Sequence, residues 1–183
     1  MEAYLGKALS LVTLDAVVVW IIPALICFSV CYLRCRSGKM RLRSCLALSM
    51  LIFYLGFVAS ITLLSRQAAP FARMELELFW SYRLISAGDK GMFFEVFWNV
   101  VLFMPYGFLA SIHSVSKAKW TVFLSGSLLS VAIELTQLFT HRGLFEYDDI
   151  VHNTLGTAVG IALCLIASKV LINLERKYNI QLT

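Results

Sequence analysis

The sequence predicts an all-α fold: a polytopic membrane helix bundle of about five transmembrane helices, with an outer interfacial helix or re-entrant segment lying over one face. Three observations predict it. First, 60% of the 183 residues are hydrophobic and the mean hydropathy is +0.79, whereas soluble domains are roughly 45–50% apolar. A chain this short cannot hide that much apolar surface in a single water-soluble core. Second, the apolar residues fall into runs close to the ~20 residues that cross a bilayer as a helix. Third, the charges collect in the short connections between those runs. The net charge of +5 would suggest nucleic acid in a soluble basic domain. Here the basic residues flank apolar runs, which is an orientation signal instead, and the chain has no nucleic-acid motif and no useful internal repeat. It reads as one membrane domain, residues 1–183.

The first span is predicted over Leu11 to Leu33. This run is too long for the apolar core of a typical signal peptide and lacks a small-residue cleavage pattern, so it reads as a retained span. Cys27, Cys31 and Cys35 recur on one face of it; with no His or carboxylate spaced among them as in a zinc site, they read as packing residues, together with Cys45 and Cys164. No disulfide framework is expected. The linker that follows carries Arg34, Arg36, Lys39, Arg41 and Arg43 and no acid. Such a loop belongs on the cytoplasmic side. The remaining spans are Cys45 to Leu64, Phe93 to Ile112, Trp120 to Phe139 and Asn153 to Ile172. Counting from the basic loop puts the N-terminus outside and the C-terminus inside. It also puts Lys117 and Lys119 inside, and the net acidic Thr140–His152 loop outside. The segment Phe71 to Ile85 is too charged to span. Phe79, Trp80 and Tyr82 suit the headgroup level, so the segment is expected to lie on the outer leaflet as a short helix or re-entrant element.

Polar side chains inside a bilayer face protein or a wet cavity, because lipid cannot hydrogen-bond them. On the fourth span Ser127, Ser130, Glu134, Gln137 and His141 stand at i, i+3, i+7, i+10 and i+14, one stripe along a helix. Glu134 is its costliest member and must pair with a cation or keep its proton. On the third span Asn99 precedes Phe103, Pro105 and Gly107; it reads equally as a ligand or as a link between helices, and Pro105 removes a backbone donor. On the fifth, Asp149, Asn153, Gly156 and Gly160 share a face, and Gly156-x-x-x-Gly160 permits close helix approach. Asp149 could cap this helix. At about 1.5 Å per residue, Asn99 lies roughly 9 Å inward from Phe93, and Glu134 about 10 Å inward from His141. Three spans therefore bring polar groups to one level, the outer third of the bilayer. Arg142 above them is the expected partner of Glu134, Asp148 or Asp149.

These residues carry a resemblance. Asn99-x-x-x-Phe103-x-Pro105-x-Gly107, Glu134-x-x-Gln137, Arg142 ahead of Phe145-Glu146-Tyr147-Asp148-Asp149, and Asn153-Thr154-Leu155-Gly156 together resemble the VanZ-like family of bacterial membrane proteins. The motifs lie within residues 93–172, and the first two spans match the family in hydropathy alone. Glu146 stands where many members carry Asp. The resemblance implies a bacterial plasma-membrane protein, and a link to resistance against teicoplanin, a lipid-tailed glycopeptide. It does not imply a reaction.

Three functions are open at this point. A cell-envelope factor would use the outer polar cluster to bind a lipid or cell-wall headgroup and lower lipoglycopeptide action. An enzyme on a lipid-linked substrate would use Glu134, Asp148 and Asp149 as acids and bases or as cation ligands, with Asn99, Gln137, Arg142 and Asn153 binding. A small transporter would use Glu134 for proton coupling, although the chain lacks the internal repeat of many transporters. Membrane lipid is the expected partner, with a lipid-linked cell-wall precursor or a lipoglycopeptide as further candidates. A cofactor is not identified. Oxygen ligands would favour Mg²⁺, Ca²⁺ or Mn²⁺; His141 and His152 keep zinc open.

Overall fold

The computed structural model describes residues 14–113 and 119–178. Its elements in chain order are α1 (Leu14–Arg36), α2 (Leu42–Ala59), a π-helical turn (Ser60–Leu64), β1 (Arg73–Glu75), α3 (Trp80–Ser86), α4 (Lys90–His113), α5 (Lys119–Thr140), β2 (Leu144–Glu146) and α6 (Tyr147–Tyr178). Five helical stretches are long and apolar enough to cross a membrane: Val18–Arg36, Leu42–Leu64, Lys90–Ile112, Lys119–Thr140 and Tyr147–Tyr178. The protein is a multi-pass helical membrane protein. Large apolar side chains point away from the bundle, as on α1, where Val19, Ile22, Leu25, Ile26, Val30 and Leu33 are exposed. That is the arrangement expected when the surrounding solvent is lipid. The expected start of the first span at Leu11, the Asp15 side chain, the turn containing Lys117 and the end of the C-terminal tail lie outside the described residues.

The centre of the bundle is built from α2, α4 and α5. Val58, Phe103 and Ile133 are buried together, with Tyr54, Leu63, Leu102 and Leu129 packed around them. The Tyr54 hydroxyl donates to the Leu102 carbonyl, in the turn ahead of Pro105 where the α4 ladder lacks a donor. On the outside of α2, the Trp20 indole of α1 donates to Ser60 Oγ at 2.9 Å. A cleft of about 570 Å³ between α1, α2 and α4, lined by residues such as Phe28, Met50, Phe53 and Leu109, is apolar and holds none of the polar stripe.

The closest helix pair is α4 with α6. A Cβ at Gly156 would overlap the carbonyl oxygen of Val100, and one at Gly160 would overlap that of Met104. The two glycines let the backbones touch, as the small-residue spacing predicts. This contact brings the face of α4 that carries Asn99 against the first turns of α6.

One end of the bundle is capped by β1, β2 and α3. Phe71–Ile85 is not one interfacial helix: β1 occupies its first part and the seven-residue α3 its last. The physical reason is visible in Arg73-Met74-Glu75-Leu76-Glu77-Leu78, whose polar–apolar alternation has the period of a strand. β1 pairs in parallel with β2, in the register Arg73↔Leu144, Met74↔Phe145, Glu75↔Glu146. The Ala69 N–H adds a bond to the His141 carbonyl at 2.7 Å.

The predicted Thr140–His152 loop is also mostly ordered. α5 ends in a Schellman turn: His141 is left-handed at φ 57°, and the Arg142 N–H reaches back to the Gln137 carbonyl at 3.0 Å. His141 is thus outside the helical stripe to which its spacing assigned it. α6 begins at Tyr147, so Asp148 and Asp149 lie inside its first turn, where carboxylates are favoured by the helix dipole. Asp149 is therefore not the helix cap.

Candidate functional site

At the capped end, three spans and β2 converge. α4 contributes Glu95 and Asn99, one turn apart on the same face. α5 contributes Ser130 and Glu134, and α6 contributes Asp149 and Asn153. The Asn99 side-chain amide donates to Asp149 Oδ1 at 2.5 Å. Glu134 Oε2 accepts the backbone N–H of Glu146 at 3.0 Å. The Asn153 amide donates to Ser130 Oγ at 2.9 Å, and its Oδ1 has no partner. Glu134 is 1% exposed and Asn153 4%, whereas Asn99, Asp149 and Glu146 are half-buried. Asn99, Glu134, Asp149 and Asn153 therefore lie at one level of the bundle. The stripe on α5 faces protein: Ser130, Glu134 and Gln137 are all buried, and Ser127 meets Thr154 of α6 at 3.2 Å.

Gln137 sits at the edge of this site. Its amide nitrogen donates to the Thr62 carbonyl at 3.2 Å, where the π-helical turn ends α2, and its Oε1 is buried without a partner beside Gly143.

Asp148 points elsewhere. It is 1% exposed, and its carboxylate accepts the Phe79 N–H at 2.5 Å, the Ser81 N–H at 3.0 Å and the Ser81 hydroxyl at 2.5 Å. Phe79 is left-handed, φ 64°, an unfavourable conformation for a bulky residue. Asp148 thus caps the N-terminus of α3 from α6 and holds the strained turn in front of it. One helical turn on, His152 meets the Tyr82 hydroxyl at 3.0 Å, with the two rings 5.6 Å apart; its Nδ1 is buried and unpartnered. Asp148 and His152 together fasten α3 to α6.

The expected cation is replaced by another. Among the described residues Arg142 forms no ion pair with Glu134, Asp148 or Asp149. The guanidinium that acts on Glu134 and Asp149 is that of Arg66, just beyond the π-helical turn. Arg66 and Glu95 lie outside the polar stripe and the motifs of the sequence. Both had a signal: Glu95 is one turn from Asn99 on the same face, and Arg66 is the first cation after the second span. Glu146, on β2 beyond the ends of the spans, completes the set. Burial pushes its carboxyl up to about 8, helped by the neighbouring charges of Asp149, Glu134 and Glu95. Four carboxylates thus gather here, and the Arg66 guanidinium acts on two of them, Glu134 and Asp149. Among the described residues, no three His, Cys, Asp or Glu side chains are arranged to hold a metal ion.

A family model described as VanZ/LLP1 matches residues 45–168. The chain belongs to the VanZ/LLP1 family. The region shared with the VanZ/LLP1 model runs from α2 through most of α6, and contains every residue of the site, whereas α1 lies outside it. No curated protein and no solved structure matches this VanZ/LLP1 member.

Proposed function

We propose that this protein is a cell-envelope factor of the bacterial plasma membrane. In this reading the capped end faces outward and the C-terminus the cytoplasm. The basic linker from Arg34 to Arg43, at the opposite end of α1 and α2 from the cap, supports that orientation. The site binds the polar headgroup of a membrane lipid or a lipid-linked cell-wall precursor, and so lowers the action of lipoglycopeptides of the teicoplanin type. The observation that carries the reading is the meeting of Asn99, Glu134, Glu146 and Asp149 from α4, α5, β2 and α6. Such a half-buried polar constellation at the end of a membrane bundle is suited to a headgroup. Below it Val58, Phe103 and Ile133 are apolar, which disfavours a proton path through the bundle.

The test is Glu134→Gln. An amide oxygen in place of Oε2 still accepts the Glu146 N–H, so the helix should pack as before, but the charge is gone. The expected result is normal protein in the membrane with loss of the protein's effect in a glycopeptide-susceptibility assay. Wild-type behaviour of the variant in that assay would remove Glu134 from the site's function. A second reading, an enzyme acting on a lipid-linked substrate, draws support from Glu146. A carboxyl titrating at about 8 beside Glu134 is poised to exchange protons near neutral pH. Under it, Glu134→Gln keeps lipid binding and loses turnover.

A further inference from the structure

We propose that the group bound at this site is a primary ammonium, carried by a lipid headgroup; this rests on the headgroup-binding reading above. Each amide of the site gives one of its two donors to the protein, Asn99 to Asp149 and Asn153 to Ser130, whereas the oxygens left open outnumber the remaining N–H groups. What remains for a ligand is mostly oxygen. Asn153 stands one turn below Asp149 on α6; its amide nitrogen donates to Ser130, one turn below Glu134 on α5, and its Oδ1 is buried without a partner. Asn153 therefore lies one turn below the level of the two acids. Above it stand the carboxylates of Glu134, Asp149 and Glu146, each with two oxygens, and Glu95 at the exposed rim. The ligand that suits such a set brings several N–H groups and a positive charge.

An ammonium has three donors on a compact cation. It donates to oxygens at ordinary hydrogen-bond distances of about 2.7–3.2 Å, so it does not need the tight oxygen shell at 2.0–2.6 Å that a divalent ion requires. The described acids do not offer such a shell. A phosphate would meet four carboxylates against one guanidinium, and a quaternary ammonium has no N–H to give Asn153. Arg66, exposed at the edge, is placed to meet the phosphate of the same headgroup, so a zwitterionic amine lipid satisfies both charges.

The full chain, purified in detergent, is incubated with an equimolar mixture of phosphatidylethanolamine, phosphatidylcholine and phosphatidylglycerol of matched acyl chains, and retained lipid is counted by native mass spectrometry. Phosphatidylethanolamine should be retained about tenfold over the other two, the equivalent of ~1.4 kcal/mol. Asp149→Asn should erase most of that preference, and Glu95→Gln, at an exposed position, should reduce it in a folded protein. Free ethanolamine then separates the sources. Displacement of the lipid by millimolar ethanolamine would mean that the amine alone suffices, and no displacement would mean that it is recognised on the lipid. Preferential retention of phosphatidylglycerol would overturn the ammonium assignment while leaving headgroup binding standing. Equal retention of all three lipids by the wild-type protein would overturn both. A phosphatidylethanolamine preference that survives unchanged in both Asp149→Asn and Glu95→Gln would place the amine elsewhere and overturn the proposal.

Discussion

Replacing Asp148 by Asn should loosen α3 and the turn before it while leaving the spans folded. The carboxylate accepts three hydrogen bonds from Phe79 and Ser81 at 2.5–3.0 Å and is 1% exposed. Asparagine keeps one acceptor oxygen and turns an NH₂ toward the Phe79 N–H or toward Ser81, so at least one donor loses its partner. A hydrogen bond to a charged group contributes about 1.5–3 kcal/mol, and a buried donor left unmet costs a further ~1–3 kcal/mol. Part of that cost is relieved when the segment opens to water. Phe79 also leaves its left-handed conformation, which holds roughly 1–2 kcal/mol of strain. A net local loss of about 2–4 kcal/mol corresponds to roughly 30- to 1,000-fold more frequent opening. Hydrogen exchange of a peptide covering Phe79 to Ser86, measured by mass spectrometry on the protein in detergent, reads this directly. Exchange should accelerate in that peptide and stay slow in α4 and α5. If exchange over Phe79–Ser86 is unchanged in a folded variant, Asp148 does not hold the cap and returns as a candidate for the site's chemistry.

Three other outcomes test the remaining structure. Gly160→Ala should force α4 and α6 apart, because the new methyl overlaps the Met104 carbonyl; a melting temperature in detergent equal to wild type would show that the interface yields freely. In a variant stripped of native cysteines, Arg36→Cys should resist a membrane-impermeant thiol reagent applied to intact cells, and labelling from outside would reverse the proposed orientation. Glu146 is raised to about 8 from an ordinary 4.5, so its contribution to the stability of the cap is present in full below about pH 4.5 and is lost as the pH rises through about 8. Protection of β2 and α3 peptides, corrected for intrinsic exchange, should fall over that window and fall less in Glu146→Gln; the same slope in both proteins would assign the dependence to another group.

The five spans could be read from hydropathy because the burial of a membrane helix is local: each run of apolar residues has lipid on one side whatever its neighbours do. The same holds for the stripe Ser130–Glu134–Gln137, since polar groups in lipid must turn inward. Depth alone sets Asn99, Glu134 and Asn153 at one level, but does not show that Asn99 bonds Asp149. What could not be read is set by contacts between distant segments. The pairing of Arg73–Glu75 with Leu144–Glu146 joins strands about seventy residues apart, and a three-residue strand has too little pattern to announce its partner. Asp148 and Asp149 look alike in sequence. They face different elements only because neighbouring residues on a helix project about 100° apart, one toward α3 and one toward α4. Arg142 was the nearest cation in sequence to the acids, but the Schellman turn at His141 redirects the chain at that point, and Arg66 arrives from α2 instead.

The glycine contact between α4 and α6 also constrains how the molecule is made. Ribosomes deliver helices in order, and α5 emerges between the two partners. Until α6 follows, α4 waits in the bilayer with Asn99 lacking Asp149 and with the faces around Val100 and Met104 unfilled. α5 waits with Ser130 lacking Asn153. The final helix is therefore a keystone. A chain halted before Tyr147 has most of its membrane mass and most of the site's acids, but neither Asp149 nor Asn153 to join α4 and α5.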